Sequence, residues 1–329
     1  MPAFVKNKGL MRFVAAIFWA LVLVLGIGIV RGQNYPNKTI RIVSTEPGSS
    51  ADFVARQIAL GISDSFGQSV IVDNRGGGGG TIAAELVAKA TPDGYTLLFF
   101  GQGIWILPLM RDNLPYDPIK DFSPVTLADR SLNVLVVHPT LPVNSVKELI
   151  AYAKAKPGEI NFATGGTGSS NHLAAELFKA MAGVNIVRIN YKGTGPALTA
   201  LVGGEVQLMF PTAASVTPHV KSGRLKALAV TSAEPSVLAP GLPTVAAVIP
   251  GYQSVSIHGL FAPAKTPMTI VRRLNVEIVR LLNRADVKEK LFSSGLQAVG
   301  SSPEQLGAAM KSEMARLGKV IKDAGIRND

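Results

Sequence analysis

The chain has 329 residues, 47% of them hydrophobic and 17% charged, with a formal net charge of +11. That composition excludes a disordered chain and fits one large globular domain or two ordinary ones. The absence of cysteine excludes disulfides, thiolate metal sites, a cysteine nucleophile and a lipid-anchored cysteine, and Lys and Arg are dispersed with no basic run interleaved with aromatics, which sets nucleic acid aside.

In chain order, Lys6, Lys8 and Arg12 precede an apolar run of 18 residues, 13–30. A basic head and an apolar stretch read as a secretory signal peptide over residues 1–32, with Val30 and Gly32 as the small residues of a cleavage site. The rival reading is a retained anchor, because a span needs roughly 20 apolar residues. Removing the cations of this segment, Arg31 included, leaves +7, a balance that favours anionic partners.

From Thr39 the chain alternates β-branched runs with helical patterns. Residues 39–45 predict a strand, 51–66 a helix, 69–74 a strand, 81–90 a helix and 95–101 a strand. This order argues for a parallel sheet flanked by helices. A Pro-rich connector over 113–125 leads to a strand at 132–139 and a helix at 144–156 with Ser145 and Glu148 as a capping box. A second series begins at 160–164: strand, Gly-rich turn, helix 172–182, strand 185–191, helix 196–204, strand 206–210, a helix through 217–223 and a strand 225–231. A Pro-rich stretch precedes a returning strand at 256–263. Two long helices finish the chain, one from Thr266-Pro267 and one from Ser302-Pro303, where Gln305 completes a capping box.

The two series repeat one another. Gly48, Ser49 and Ser50 lie 120 positions before Gly168, Ser169 and Ser170, and Asp52 falls opposite His172. A strand that ends in a Gly/Ser turn and opens a helix presents unpaired backbone N–H groups, where the macrodipole adds roughly half a positive charge. Such an end binds anions without Lys or Arg, and glycine admits close approach of the ligand. Two such turns in facing lobes would hold a small carboxylate-bearing ligand in one cleft. Arg75 with Gly76–Gly80 is a third turn of this kind. It is not a dinucleotide fingerprint, because Thr81 stands where glycine is needed.

Catalytic signals are scarce. His138, His172, His219 and His258 lack metal-ligand spacing, so no metal and no cofactor is expected. Ser169 or Ser170 with His172 suggests a secreted serine hydrolase as the alternative reading, with no acid to orient the imidazole. Asp52 either complements its helix dipole or receives a cationic group of the ligand.

The stretches "PGSSAD", "VDNRGGGGGTIAAELVAKATPDGYTLL", "LPYDPIKDFSPVTL", "GTGSSNHLAAELF", "YKGTGPALTALVGGEVQLMF" and "GLFAPAKTP" resemble the tripartite tricarboxylate transporter substrate-binding proteins, the Bug family of extracytoplasmic solute receptors. The resemblance spans nearly the whole mature chain. It implies an α/β, two-lobed periplasmic-binding-protein-like fold (type II), each lobe a mainly parallel sheet flanked by helices. Lobe I would comprise 33–127 plus 252–329 and lobe II 128–251. It implies a periplasmic monomer that is not an enzyme, captures a mono-, di- or tricarboxylate and delivers it to membrane transporter subunits or a sensor. Carried over to this sequence, the ligand site takes Pro47, Gly48, Ser49, Ser50, Ala51, Asp52 and Gln102 from the first lobe. From the second it takes Gly166, Thr167, Gly168, Ser169, Ser170, His172, Tyr191, Gly193 and Thr212.

The chain departs from the family pattern in four places. Ser49 and Ser50 stand where glycine is usual, Glu46 puts an acid beside the first turn, Pro211 replaces a frequent Asp, and His258 stands where an aromatic, usually Trp, is common. Loss of the Asp argues against an amino-acid ligand. A third reading, the effector lobes of LysR-type regulators, requires an N-terminal helix-turn-helix where this chain has its apolar run.

Overall fold

Strand β1 (Ile40–Ser44) leads into helix α1 (Ser50–Phe66), β2 (Val70–Asn74), a 3-10 turn (Gly78–Gly80), α2 (Thr81–Ala88), β3 (Thr96–Gly101) and α3 (Gly103–Met110). Strands β4 (Phe122–Leu132) and β5 (Val134–Val137) follow with one residue, Asn133, between them. Next come α4 (Val146–Ala155), β6 (Asn161–Thr164), α5 (Ser170–Ala182), β7 (Val187–Asn190), α6 (Thr194–Val202), β8 (Leu208–Met209), α7 (Ala213–Lys221) and β9 (Lys226–Val230). The chain continues through β10 (Val255–Pro263), α8 (Met268–Leu282), α9 (Ala285–Ser293), β11 (Gln297–Ala298) and α10 (Pro303–Asp323). These elements are those of a computed structural model that describes residues 35–45, 47–166 and 168–323. The signal-like segment 1–32 lies outside the described residues, and Lys38 onward forms one unit.

The helices form where apolar residues recur at helical spacing. In α1, Val54, Ile58 and Ile62 are fully buried while Leu60 faces solvent, and each buried aliphatic side chain contributes about 1.5–3 kcal/mol. The helix stops at Gly67, in the left-handed conformation at φ 60°, which glycine adopts without a Cβ penalty. Helix α5 stops the same way at Gly183, φ 61°. Of the two capping boxes read from sequence, that at Ser302 closes reciprocally, and that at Ser145 forms its first leg while Glu148 accepts from Asn144 N at 2.8 Å. Ser145 Oγ accepts from Glu148 N at 3.1 Å, and Ser302 and Gln305 bond reciprocally at 3.2 and 2.9 Å.

The strands make two sheets, a six-stranded one in the order β11-β4-β10-β3-β1-β2 and a five-stranded one in the order β7-β6-β8-β5-β9. Both are mixed. β1 pairs in parallel with β2 and β3, and β6 with β7 and β8. These parallel portions carry the two Gly/Ser turns. β10 runs antiparallel between β3 and β4, and β5 antiparallel between β8 and β9, because the chain that crosses between the sheets must also come back.

Three elements differ from the sequence reading. The connector over 113–125 conceals the start of β4, an 11-residue strand. Pro124 lies inside it opposite Phe261, and proline within a run argues against a strand. Helix α3 carries Pro108, which hides a short helix in the same way. The stretch after α8 is a third terminal helix, α9, followed by the two-residue β11 at the sheet edge.

Thr231 stitches the two crossing segments together. Its Oγ1 accepts from Asn133 N at 2.9 Å and its N–H donates to Asn133 O at 2.9 Å, while its carbonyl accepts from Ser254 N at 2.8 Å. The fully buried Tyr252 donates its hydroxyl to Ala174 O of α5 at 2.8 Å and packs edge-on against Phe178. The return to the first sheet is thereby pinned to the second.

Glycine spacing sets how closely the elements approach. A Cβ on Gly165, just after β6, would lie 2.6 Å from the Thr194 backbone nitrogen at the start of α6, whereas one on Gly195 would meet open space. Gly165→Ala is expected to lower stability in urea unfolding by about 1–3 kcal/mol through overpacking against backbone. Gly195→Ala, inside α6, is expected to be neutral or stabilising by up to about 1 kcal/mol.

Candidate functional site

The first turn is built from its helix outward. Ser49 is the N-cap of α1: its Oγ accepts from Asp52 N at 3.1 Å, and its carbonyl accepts from Phe53 N at 3.0 Å. The amides of Ser50 and Ala51 have no intrahelical acceptor. Asp52 is engaged by its own turn. Its carboxylate accepts from Gly48 N at 2.9 Å, from Asn74 Nδ2 at 2.9 Å and from Arg56 at 3.0 and 3.1 Å. Burial works to raise its pKa. Hydrogen bonds from Arg56, Gly48 and Asn74, with the Arg56 charge, outweigh that and hold the carboxyl below its ordinary range. The partners observed are the loop amide, Asn74 and Arg56 of its own lobe.

The second turn repeats the plan with different chemistry. Ser169 caps α5, accepting from His172 N at 3.4 Å and, through its carbonyl, from Leu173 N at 3.0 Å. The amides of Ser170 and Asn171 are the ones left open. His172 takes the place of Asp52: its Nδ1 lies 3.2 Å from Gly168 N, and its Nε2 2.6 Å from Arg188 Nη1. Both neighbours are donors, and a neutral ring has one acceptor nitrogen, so it accepts from one of them at a time. The ring is fully buried, and its pKa is pushed down to about 4 by burial first, then by the charges of Arg188 and Lys179. A buried, neutral His172 is no base for Ser169 or Ser170. Ser169 Oγ is itself engaged by Gly166 O at 2.6 Å and by Asn171.

The equivalence extends to the neighbouring strands. Asn74 stands opposite Ser44, and Asn190 opposite Thr164. Asn74 donates to Thr45 O at 2.9 Å, and Asn190 accepts from Thr164 Oγ1 at 3.0 Å. Arg75 N donates to Ser44 O, and Tyr191 N to Thr164 O. Gly77 and Gly193 then adopt φ 107°, ψ 155° and φ 112°, ψ 166°, a region essentially restricted to glycine. Each opens another helical segment beside its turn.

Both turns converge on the end of β3. His258 of β10 pairs with Gly101 in the sheet, and its Nε2 lies 3.4 Å from Ser50 Oγ in the first turn. A Cβ on Gly103 would lie 3.6 Å from Gly168 O of the second turn, and one on Gly168 2.9 Å from Leu107 Cδ2. Gln102, between those glycines, is buried with its Oε1 unpartnered among the described residues. A second contact joins the sheets elsewhere: a Cβ on Gly295 would meet Ala214 at 2.6 Å.

Of the remaining residues read from sequence, Pro47 is exposed at the turn. Thr167 lies outside the described residues. Thr212 is the N-cap of α7 and bridges to Asn133 at the crossing, with its hydroxyl on Ser215 at 3.1 Å. Tyr191 is half-buried, and its phenol pKa is raised by burial and by Glu205. Among the described residues, Tyr191, Gly193 and Thr212 make their contacts within the second lobe and at the crossing. The sequence reading missed Arg188, Asn74, Gly103 and Asp129. Asp129 of β4 is fully buried and accepts from His258 Nδ1 at 2.8 Å. Asn74, Arg188 and Asp129 are defined by spatial pairing across strands and Gly103 by the approach of the second turn to α3, and only the shared Asn at the ends of β2 and β7 leaves a trace in the aligned series. No group of metal-ligating side chains occurs among the described residues, and no helix among them is long and apolar enough to cross a membrane.

A family model described as "Tripartite tricarboxylate transporter family receptor" matches residues 54–326. Among solved structures, the chain is similar to R. palustris Rpa4515 with adipate, at 38% identity and TM-score 0.82 over 89% of this chain and 99% of that one. It is similar to the periplasmic binding protein BugD at 32% identity and TM-score 0.80, over 90% and 100%. It is also similar to MatC from Rhodopseudomonas palustris with bound malate, at 32% identity and TM-score 0.78 over 87% and 100%.

Two outcomes check the latches. Asp52→Asn is expected to cost about 1–3 kcal/mol near neutral pH. A carboxylate with a lowered folded pKa stabilises above its unfolded pKa, and that contribution is lost as pH falls through the folded one. The gap between wild type and D52N in urea midpoints should therefore close as pH drops below the ordinary Asp range. His172 carries the same sign in a higher window: between its ordinary pKa near 6.5 and its folded value of about 4, only the unfolded chain takes up the proton, so stability is again lost as pH falls. Wild type should lose about 2–3 kcal/mol more than His172→Asn between pH 7 and pH 4.5.

Proposed function

The chain belongs to the tripartite tricarboxylate transporter receptor family, and from that premise we propose that it captures a small organic carboxylate between the Gly/Ser turns of its two lobes. The family is one of substrate-binding receptors, not enzymes. Two similar structures carry adipate and malate, and both ligands are dicarboxylates. On this reading one carboxylate docks at each turn, on the amides of Ser50 and Ala51 in lobe I and of Ser170 and Asn171 in lobe II. Asp52 and His172 act as latches that hold those amides outward, and Gln102 forms the floor.

The observation that carries this reading is the convergence of both turns on Gly101–Gly103. A helix N-terminus alone is common. Two matched ones closing on a single strand end, with a buried amide oxygen between them, make a place for one anion with two heads. The lobes differ in charge. Arg56 is neutralised by Asp52 in the first, whereas Arg188 in the second faces a neutral imidazole. An anionic group is accordingly held more strongly in lobe II.

The lobes are assigned from the crossings. Lobe I takes the chain up to Asn133 and from about Ser254 onward, lobe II the part between, with Thr231 tying the two crossings. Closure about these strands brings Gly168 against Gly103 and Leu107 and shields the ligand from water. A similar structure is that of a periplasmic binding protein, which supports export of this chain as a monomer through the segment 1–32, with delivery to membrane transporter subunits, as the last part of the proposal. The hydrolase alternative on Ser169 or Ser170 has no geometric support.

Thermal unfolding with mono-, di- and tricarboxylates, amines and sugars tests the reading. A matching dicarboxylate at about 100 times its Kd should stabilise by roughly 2.7 kcal/mol. Gly168→Ala, which strains a φ of 79° and meets Leu107, should weaken that ligand by at least about tenfold, or about 1.4 kcal/mol. Stabilisation by amines or sugars, with every organic acid inert, would refute it.

A further inference from the structure

We propose that Asp129 and His258 form a hydrogen-bond relay that fixes the Ser50 hydroxyl as an acceptor toward the cleft, so that the receptor selects a carboxylate bearing an adjacent hydroxyl donor, a 2-hydroxy acid, over its unsubstituted analogue. The inference rests on the carboxylate-receptor reading and deepens it.

The relay is built from three facing elements. Asp129 of β4 and His258 of β10 stand opposite each other in the sheet, with Asp129 Oδ1 2.8 Å from His258 Nδ1. Asp129 is fully buried, and its second oxygen has no partner among the described residues, so His258 is the group that answers it. The imidazole is stacked on Phe99 of β3, with ring centroids 6.1 Å apart and planes at 25°, and it lies against Gly101, where a Cβ would stand 3.2 Å from His258 Cδ2. Phe99 and Gly101 confine the ring, so Nδ1 keeps its place at the carboxylate and Nε2 its place at Ser50 Oγ, 3.4 Å away.

Hydrogen-bond chemistry sets the polarity of the chain. A carboxylate only accepts, so Nδ1 carries the proton and donates to Asp129. The relay takes the ring as neutral, with Nε2 the acceptor and Ser50 donating its hydroxyl proton to it. What Ser50 offers the cleft is its lone pairs. Ser50 is the first residue of α1, half-exposed beside the open amides of Ser50 and Ala51. A carboxylate oxygen on those amides finds only acceptor character at the adjacent hydroxyl. A ligand hydroxyl on the neighbouring carbon supplies the missing donor. The order hydroxyl, imidazole, carboxylate is also that of a hydrolase triad. In a receptor the same order orients a hydroxyl without consuming it.

Isothermal titration calorimetry of the full mature receptor tests this with succinate, adipate and their 2-hydroxy analogues. The expected result is preference for the hydroxy acid of the better-binding chain length by about tenfold, the worth of one hydrogen bond. Ser50→Ala should reduce that ratio to near one, and Ser50→Thr should restore it. Asp129→Asn, which removes the constraint on the tautomer, should abolish or reverse the preference in protein whose thermal unfolding remains cooperative. Equal binding of both analogues by wild type, preference for the unsubstituted acid, or a ratio unchanged in Ser50→Ala overturns the relay alone. Failure of all four acids to bind overturns the carboxylate reading, and the relay with it.

Discussion

The architecture of both turns depends on one local bond: the side chain at the third helical position accepts the N–H of the glycine just before the N-cap. Asp52 does this for Gly48 and His172 for Gly168. The bond curls the loop back over the helix start. The N-cap serine meanwhile takes the third amide with its hydroxyl and the fourth with its carbonyl. The first two amides are left as the open ones, and they lie together on one side. A more fully satisfied cap would stabilise the helix and abolish the proposed anion site. The latch resolves that conflict by satisfying the loop instead of the helix end.

That requirement explains why an acid and a histidine can occupy equivalent positions. What the turn needs at this place is an acceptor, and a carboxylate and the acceptor nitrogen of a neutral imidazole both qualify. Each is then stabilised in its accepting form by surroundings of opposite logic. Asp52 is kept charged by Arg56 and Asn74, against the cost of burial. His172 is kept neutral by burial and by the cations Arg188 and Lys179. The consequence is electrostatic asymmetry between two geometrically similar turns.

Much of this was legible because turn chemistry is local. Gly48-Ser49-Ser50 and Gly168-Ser169-Ser170 announce their strand-to-helix turns without any tertiary information, and the 120-residue offset already set Asp52 against His172. The role of those two residues was not legible, because a residue at a helix start looks the same whether it faces a ligand or its own loop. Prolines masked two elements: Pro124 sits within β4 and Pro108 within α3, each tolerated where its missing N–H is not required. Asp129 was hidden for another reason. Its partner His258 lies 129 positions away, and one sequence records no pairing at that distance.

Backbone amides are nearly blind to what carries the carboxylate, so selectivity has to come from the few side chains that reach the same space. A hydrogen bond from an amide to a charged oxygen is worth about 1.5–3 kcal/mol, and on the proposed reading the open amides at the two turns supply such bonds to any anion of suitable span. Increments of that size raise affinity for a whole chemical class together. Discrimination within the class requires groups whose polarity is fixed, because a freely rotating hydroxyl accommodates a donor or an acceptor equally. Buried groups fix polarity most firmly, since an unanswered buried polar atom costs more than a misplaced exposed one. The unpartnered oxygens of Asp129 and Gln102 stand beside the convergence of the turns, and there the fold has the means to turn a general anion trap into a specific one.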